Sequence, residues 1–211
     1  YLQLGEDKSA HAFVDYIKAT NVGPDAFGAA LSQASASALY MVERGDWKGA
    51  AGLEVRPSKF PHVMAMSYFA RALGAARSGN PEAARAEIAK LTEIEDKLRA
   101  AKNSYWAGQV DVQRLAATAW ALYAEGKTDD ALKTMSAAVD AESTLFDESM
   151  PTPADSRESM TSSTPSGTVG VITATALRPR RCAAMMATET PTPTRRPKAR
   201  ATGTSQCAGS M

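Results

Sequence analysis

The chain holds two histidines, His11 and His62, and two cysteines, Cys182 and Cys207. Zinc and di-iron centres use imidazoles paired with each other or with carboxylates at helical spacing, such as His-x-x-x-His or Glu-x-x-His. No such pair is present. The first 181 residues contain no cysteine, which excludes a thiolate metal site or a disulfide framework there. "SGTVG" at 166–170 has glycines but no Gly-Lys-Ser/Thr, so it is no phosphate loop. A Gly-x-Ser-x-Gly nucleophile turn is absent as well. Glu93, Glu95 and Asp96 read as a solvated helix face, and His62, in "VRPSKFPH", reads as a solvated loop residue. Asp129 and Asp130 favour a helix N-terminus through the dipole. No catalytic, cofactor-binding or metal-ligating set emerges, and the expectation is a non-enzyme without a cofactor. The side chains with most to offer a partner are aromatic: Tyr105, Trp106, Trp120 and Tyr123 crowd one predicted helix. Core packing is the stronger reading of Trp120, and a groove lining is its rival.

Helices must position these residues. "GEDKSA", "GDWKGA", "GNPEAA" and "GKTDDA" share one spacing, a Gly followed five residues later by Ala: Gly5–Ala10, Gly45–Ala50, Gly79–Ala84 and Gly126–Ala131. Gly accepts the positive φ at which helices end, and a small Ala on the next helix lets two backbones approach. Helices are expected over 7–20, 25–44, 63–77, 81–103 and 104–126, with Ser104 as an N-cap, and from Thr128 onward, with Ala131, Met135, Ala138 and Val139 facing inward. A short arm is expected at 46–54. In "PEAARAEIAKLTEIEDKLRAAKN", Ala84, Ile88, Leu91, Ile94 or Glu95, and Leu98 recur at three-to-four spacing between charged residues. No strand alternation precedes residue 160.

Gly45 and Gly79 are 34 residues apart, the period of a tetratricopeptide repeat; the intervals on either side, 40 and 47, are longer. The turns resemble that family in their small residues too: Ala38 and Ala50 flank Gly45, Ala72 and Ala84 flank Gly79, and Ala119 and Ala131 flank Gly126. Trp47 matches the aromatic that often follows Gly-Asp, whereas the family's first-helix Trp is replaced by Tyr68 and Leu115. Over roughly 8–158 the chain is similar to a set of uncharacterised bacterial tetratricopeptide-repeat proteins, in which further helical repeats follow. The resemblance implies an all-α fold: antiparallel helix hairpins stacked as a short solenoid. It also implies a concave face that binds a peptide or helix, with Phe69, Leu73, Arg77, Gln113, Trp120 and Tyr123 at the lining positions. It implies no reaction.

The two parts of the chain differ in composition. Residues 1–160 carry 17 Lys and Arg against 22 Asp and Glu; residues 161–211 carry 7 against 1, within an overall net charge of +1. The later segment has no Phe, Tyr or Trp and a single Leu, Leu177. Such material buries too little apolar surface to offset an ordering entropy of about 1–2 kcal/mol per residue. The division expected is a helical repeat domain at 1–158 and a low-complexity basic tail at 159–211. Three readings of the tail stand: a disordered solvated segment, an out-of-frame translation, or a contact to nucleic acid or an acidic surface through Arg178, Arg180, Arg181, Arg195, Arg196, Lys198 and Arg200. Nucleic acid binding is otherwise not expected.

No apolar run approaches the length of a membrane-spanning helix. Tyr1 stands first instead of Met, which reads as a fragment or processed form. The reading favours the cytoplasm. An apolar repeat end left uncapped at about 131–146 is expected to promote self-association.

Overall fold

The computed structural model describes residues 4–21, 23, 25–149 and 186. Seven helices and no strand occur among them: α1 (Asp7–Ala19), α2 (Phe27–Glu43), α3 (Trp47–Ala51), α4 (Pro61–Arg77), α5 (Pro81–Ala100), α6 (Ser104–Ala124) and α7 (Thr128–Ser149). None is long and apolar enough to cross a membrane. The tail at 159–211 lies outside the described residues, Met186 excepted.

One joint recurs. Gly45, Gly79 and Gly126 all have positive φ, +68°, +78° and +81°. At Gly79 the backbone N–H donates to the Ala76 carbonyl and the next N–H, from Asn80, to Ala75. The same pair of bonds forms at Gly45–Asp46, to Val42 and Met41, and at Gly126–Lys127, to Tyr123 and Leu122. This is the Schellman cap, which satisfies carbonyls orphaned at a helix end and needs a left-handed residue. The residue after the Gly starts the next helix. Asp46 Oδ1 accepts from Gly49 N at 2.9 Å and Asn80 Oδ1 from Ala83 N at 3.1 Å.

A fourth joint has no glycine. The uninterrupted helix former expected over 81–103 breaks at Lys102, whose φ is +56°. Lys102 N–H donates to Arg99 and Asn103 N–H to Leu98, the same cap again. The N-cap of α6 is therefore Asn103, whose Oδ1 accepts from Trp106 N at 3.5 Å, and not Ser104. Likewise Pro61, with its φ already set for a first helical turn, opens α4 two residues earlier than expected.

Consecutive helices pack in pairs: α3 on α4, α4 on α5, α5 on α6, and α6 on α7. Helices two apart also meet, α2 on α4 and α4 on α6. Small residues hold these seams. Ala38, Ala50, Ala72, Ala84, Ala119 and Ala131 are all fully buried. A Cβ added to Gly74 would lie 2.3 Å from the backbone nitrogen of Ala51, so α3 and α4 touch backbone to backbone. Main-cluster side chains include Phe69, Leu91, Val110, Trp120 and Met135, each worth about 1.5–3 kcal/mol on burial for the larger apolar ones.

Candidate functional site

Residues from several helices gather at the two ends of α6, where sequence spacing had suggested one aromatic group. Trp106 and Trp120 are 14 positions apart, about 21 Å along a helix. Near Trp106, His62 stacks on the indole with centroids 4.0 Å apart and an interplanar angle of 10°. Phe27 meets both rings edge-on, at 6.0 Å from Trp106 and 5.4 Å from His62, and Phe60 lies 5.1 Å from Phe27. His62 is thus no solvated loop residue. It is the second residue of α4, 7% exposed, and neither ring nitrogen has a hydrogen-bond partner. Burial pushes its pKa from 6.5 down to about 4. A neutral imidazole used as a flat packing surface accounts for this geometry.

At the other end of α6, the Arg77 guanidinium lies 4.6 Å from the Trp120 ring centroid and 5.0 Å from that of Trp47. Trp120 in turn meets Tyr123 edge-on at 5.7 Å. The last turn of α4, the first of α3 and the last turns of α6 converge here, all beside the Schellman joints. Close by, Arg85 of α5 donates to Glu125 at 2.6 Å, and Lys127 lies 3.0 Å from the same carboxylate. Hydrogen bonds from Arg85 and then Lys127 hold Glu125 down to a pKa of about 2.

The carboxylates on α5 are committed to structure. Glu93 and Asp96 are exposed, as expected, but Glu95 is 6% exposed and is no part of a solvated face. One of its oxygens accepts from Arg99 at 2.6 Å and the other from Arg114 at 2.7 Å. Arg114 also donates to Asp111. Ile94 is buried beside Glu95, so both residues at this point of the pattern turn inward. The network links α5 to α6 and leaves Glu95 with both oxygens hydrogen-bonded. His11 and Asp15 pair at 3.0 Å on the outer, exposed side of α1. Among the described residues no group of three or more His, Cys, Asp or Glu is placed to hold a metal.

An open cleft of about 620 Å³ lies between the C-terminal end of α1, α2 and the connection from α3 to α4. Lys18, Asn21, Gln33, Ser37, Arg56 and Ser58 give it polar walls, and Leu53 and Val63 give it apolar floor. Its edge is tied down by side chains. Gln33 Nε2 donates to the carbonyls of Ile17 and Thr20 at 2.8 and 2.7 Å, and Arg56 donates to that of Lys18 at 2.7 Å. These bonds satisfy carbonyls that the end of α1 would otherwise leave to water. The size falls within the range of ligand sites, about 300–1,000 Å³, and its described lining holds no His or Cys.

Of the six side chains expected on a concave face, four are buried and two half-buried. Phe69, Leu73, Gln113 and Trp120 are 1%, 2%, 8% and 3% exposed. Phe69, Leu73 and Trp120 belong to the main core, and Gln113 points its amide at the Met66 sulfur, 3.1 Å away. Arg77 and Tyr123 are half-buried. The structure joins Arg77, Trp120 and Tyr123 in one cluster; none of the six is among the described residues of the cleft. The cleft escaped the sequence because its walls come from α1, α2 and a loop, separated by up to 40 positions, and consist of ordinary polar residues. The one local signal was the pair of helix breaks, Asn21-Val22-Gly23-Pro24 and "VRPSKFPH". No protein-family model, curated protein or solved structure matches the chain.

Proposed function

We propose that this protein is a non-catalytic scaffold of tetratricopeptide-like helix pairs that binds a peptide segment, with the cleft beside α2 as the binding site. The observation that carries this reading is the cleft itself, which opens where the α1–α2 and α3–α4 connections depart from the cap shared by the other four joints. Its walls carry amide, hydroxyl and cationic groups and the carboxylate of Glu54, beside which an extended peptide can place its own carbonyls and side chains. The packing of α2 on α4 and α4 on α6, with α3, α5 and α7 as their partners, supports a solenoid arrangement.

The test is selection of peptides from a random display library on the full chain, repeated with Ala34→Trp. Ala34 is half-buried and lines the cleft, so an indole there fills the space. The expected result is a peptide consensus whose affinity falls by about tenfold or more, some 1.4 kcal/mol, in the variant at unchanged helical content. Peptides that bind both chains equally, or a library that yields no consensus, overturn the reading.

A further inference from the structure

A serine or threonine inside a helix can turn its hydroxyl back onto the carbonyl four residues earlier. Ser32, Thr92, Thr118 and Thr134 do so, at 2.8, 3.2, 2.7 and 2.8 Å. Ser37 of α2 and Ser67 of α4 do not. They are only 9% and 4% exposed, and neither hydroxyl has a hydrogen-bond partner among the described residues. Ser35 marks the contrast: its Oγ is sealed within the packing. The oxygens of Ser37 and Ser67 are not sealed, and both residues line the cleft, so each hydroxyl opens onto it.

Gln33 stands one turn before Ser37 on the same wall. Its Nε2 gives its hydrogens to two carbonyls, those of Ile17 and Thr20. A carbonyl only accepts, which fixes the orientation of this amide and leaves Oε1 as an acceptor. That oxygen has no partner among the described residues and is not sealed either. The cleft thus presents two hydroxyls, able to donate or accept, and one group that only accepts. None of the three carries charge. The charged residues of the lining stay in water: Glu54 and Arg56 are exposed and Lys18 is half-buried.

We infer that the cleft selects a carboxamide, the side chain of an asparagine or glutamine in the bound peptide. Its N–H group donates to Gln33 Oε1 and its carbonyl accepts from Ser37 and Ser67. The inference rests on the reading of the cleft as a peptide site and names what that site recognises. Other side chains match less well. A carboxylate has no hydrogen for Gln33 Oε1 and sets acceptor against acceptor. An ammonium gives up its water beside Lys18 and Arg56, with Glu54 as the one carboxylate of the described lining. An apolar side chain expels water from all three groups and replaces none of their hydrogen bonds.

The experiment uses the full chain, isotope-labelled for NMR and titrated separately with propionamide, propionate and propylammonium. Propionamide is expected to shift the backbone signals of Gln33, Ser37 and Ser67, and to bind about tenfold more tightly than either ion, the worth of one or two neutral hydrogen bonds. Ser37→Ala and Ser67→Ala should each weaken it by about fivefold, the loss of one such bond, at unchanged helical content. The three probes are alike in size, so a cavity that merely admits small molecules takes all of them equally. Equal binding of the three, no shift from any of them, or propionamide binding untouched in both serine variants overturns the inference. These titrations need no peptide. A peptide consensus that contains neither Asn nor Gln also overturns the inference and leaves the scaffold reading standing. A library without a consensus defeats the scaffold reading, while the titrations still decide whether the cleft takes an amide.

Discussion

His62 shows how one side chain can tie stability to pH. Its pKa is about 4 in the folded chain against 6.5 unfolded. The unfolded state therefore takes up a proton that the folded state refuses. The contribution is present in full above pH 6.5 and is lost as pH falls from 6.5 to 4. A shift of that size corresponds to roughly 3 kcal/mol. Replacing His62 by Phe keeps a flat ring against Trp106 and leaves no buried nitrogen without a partner. Denaturant melts at pH 7 and pH 4.5 should show the native chain losing stability between the two, with His62→Phe losing less by about 2–3 kcal/mol. Equal slopes for both proteins would mean that the imidazole is solvated. Glu125 acts in the same sense at lower pH: with its pKa held from 4.5 down to about 2, its support is present in full above about pH 4.5 and is lost as pH falls from there toward 2.

At the scale of elements, the informative comparison is among the four joints. Three use glycine at positive φ and one uses Lys102 at +56°. A left-handed conformation costs a residue with a Cβ about 1–2 kcal/mol. Lys102→Gly should thus stabilise the chain by about 1 kcal/mol, the cost removed less some added freedom when unfolded. Gly79→Ala should destabilise it by a similar 1–2 kcal/mol, through the backbone alone, since an added Cβ there meets no atom within 4 Å. Denaturant midpoints of the two variants provide the check, and shifts of the same sign would contradict the shared geometry. The three glycine joints were legible because a left-handed turn leaves its mark in residue type. The Lys102 joint was not, because there the adjoining packing of α5 on α6 imposes a turn that the local residues do not announce.

For the whole molecule, the packing predicts graded stability. α4 touches α2, α3, α5 and α6, and twelve of its residues are buried, so it cannot open without disrupting its neighbours. α1 rests chiefly on α2 through a small cluster of Ala10, Val14 and Tyr40, with Tyr16 70% exposed. Native-state hydrogen exchange should find the amides of α1 opening at clearly lower free energy than those of α4 and α6. A single opening energy for all the helices would indicate one indivisible core instead. By itself the sequence determined the helices, their glycine corners and the small residues at their seams, because breakers, caps and periodicity act within a few residues of where they stand. Only the tertiary structure decided that Phe69, Leu73 and Trp120 are covered, that His62 stacks on Trp106, that Glu95 faces two arginines, and that a cleft opens beside α2. Exposure, pairing and cavities depend on which faces of distant helices meet, and a face carries no record in the sequence of what will lie across from it.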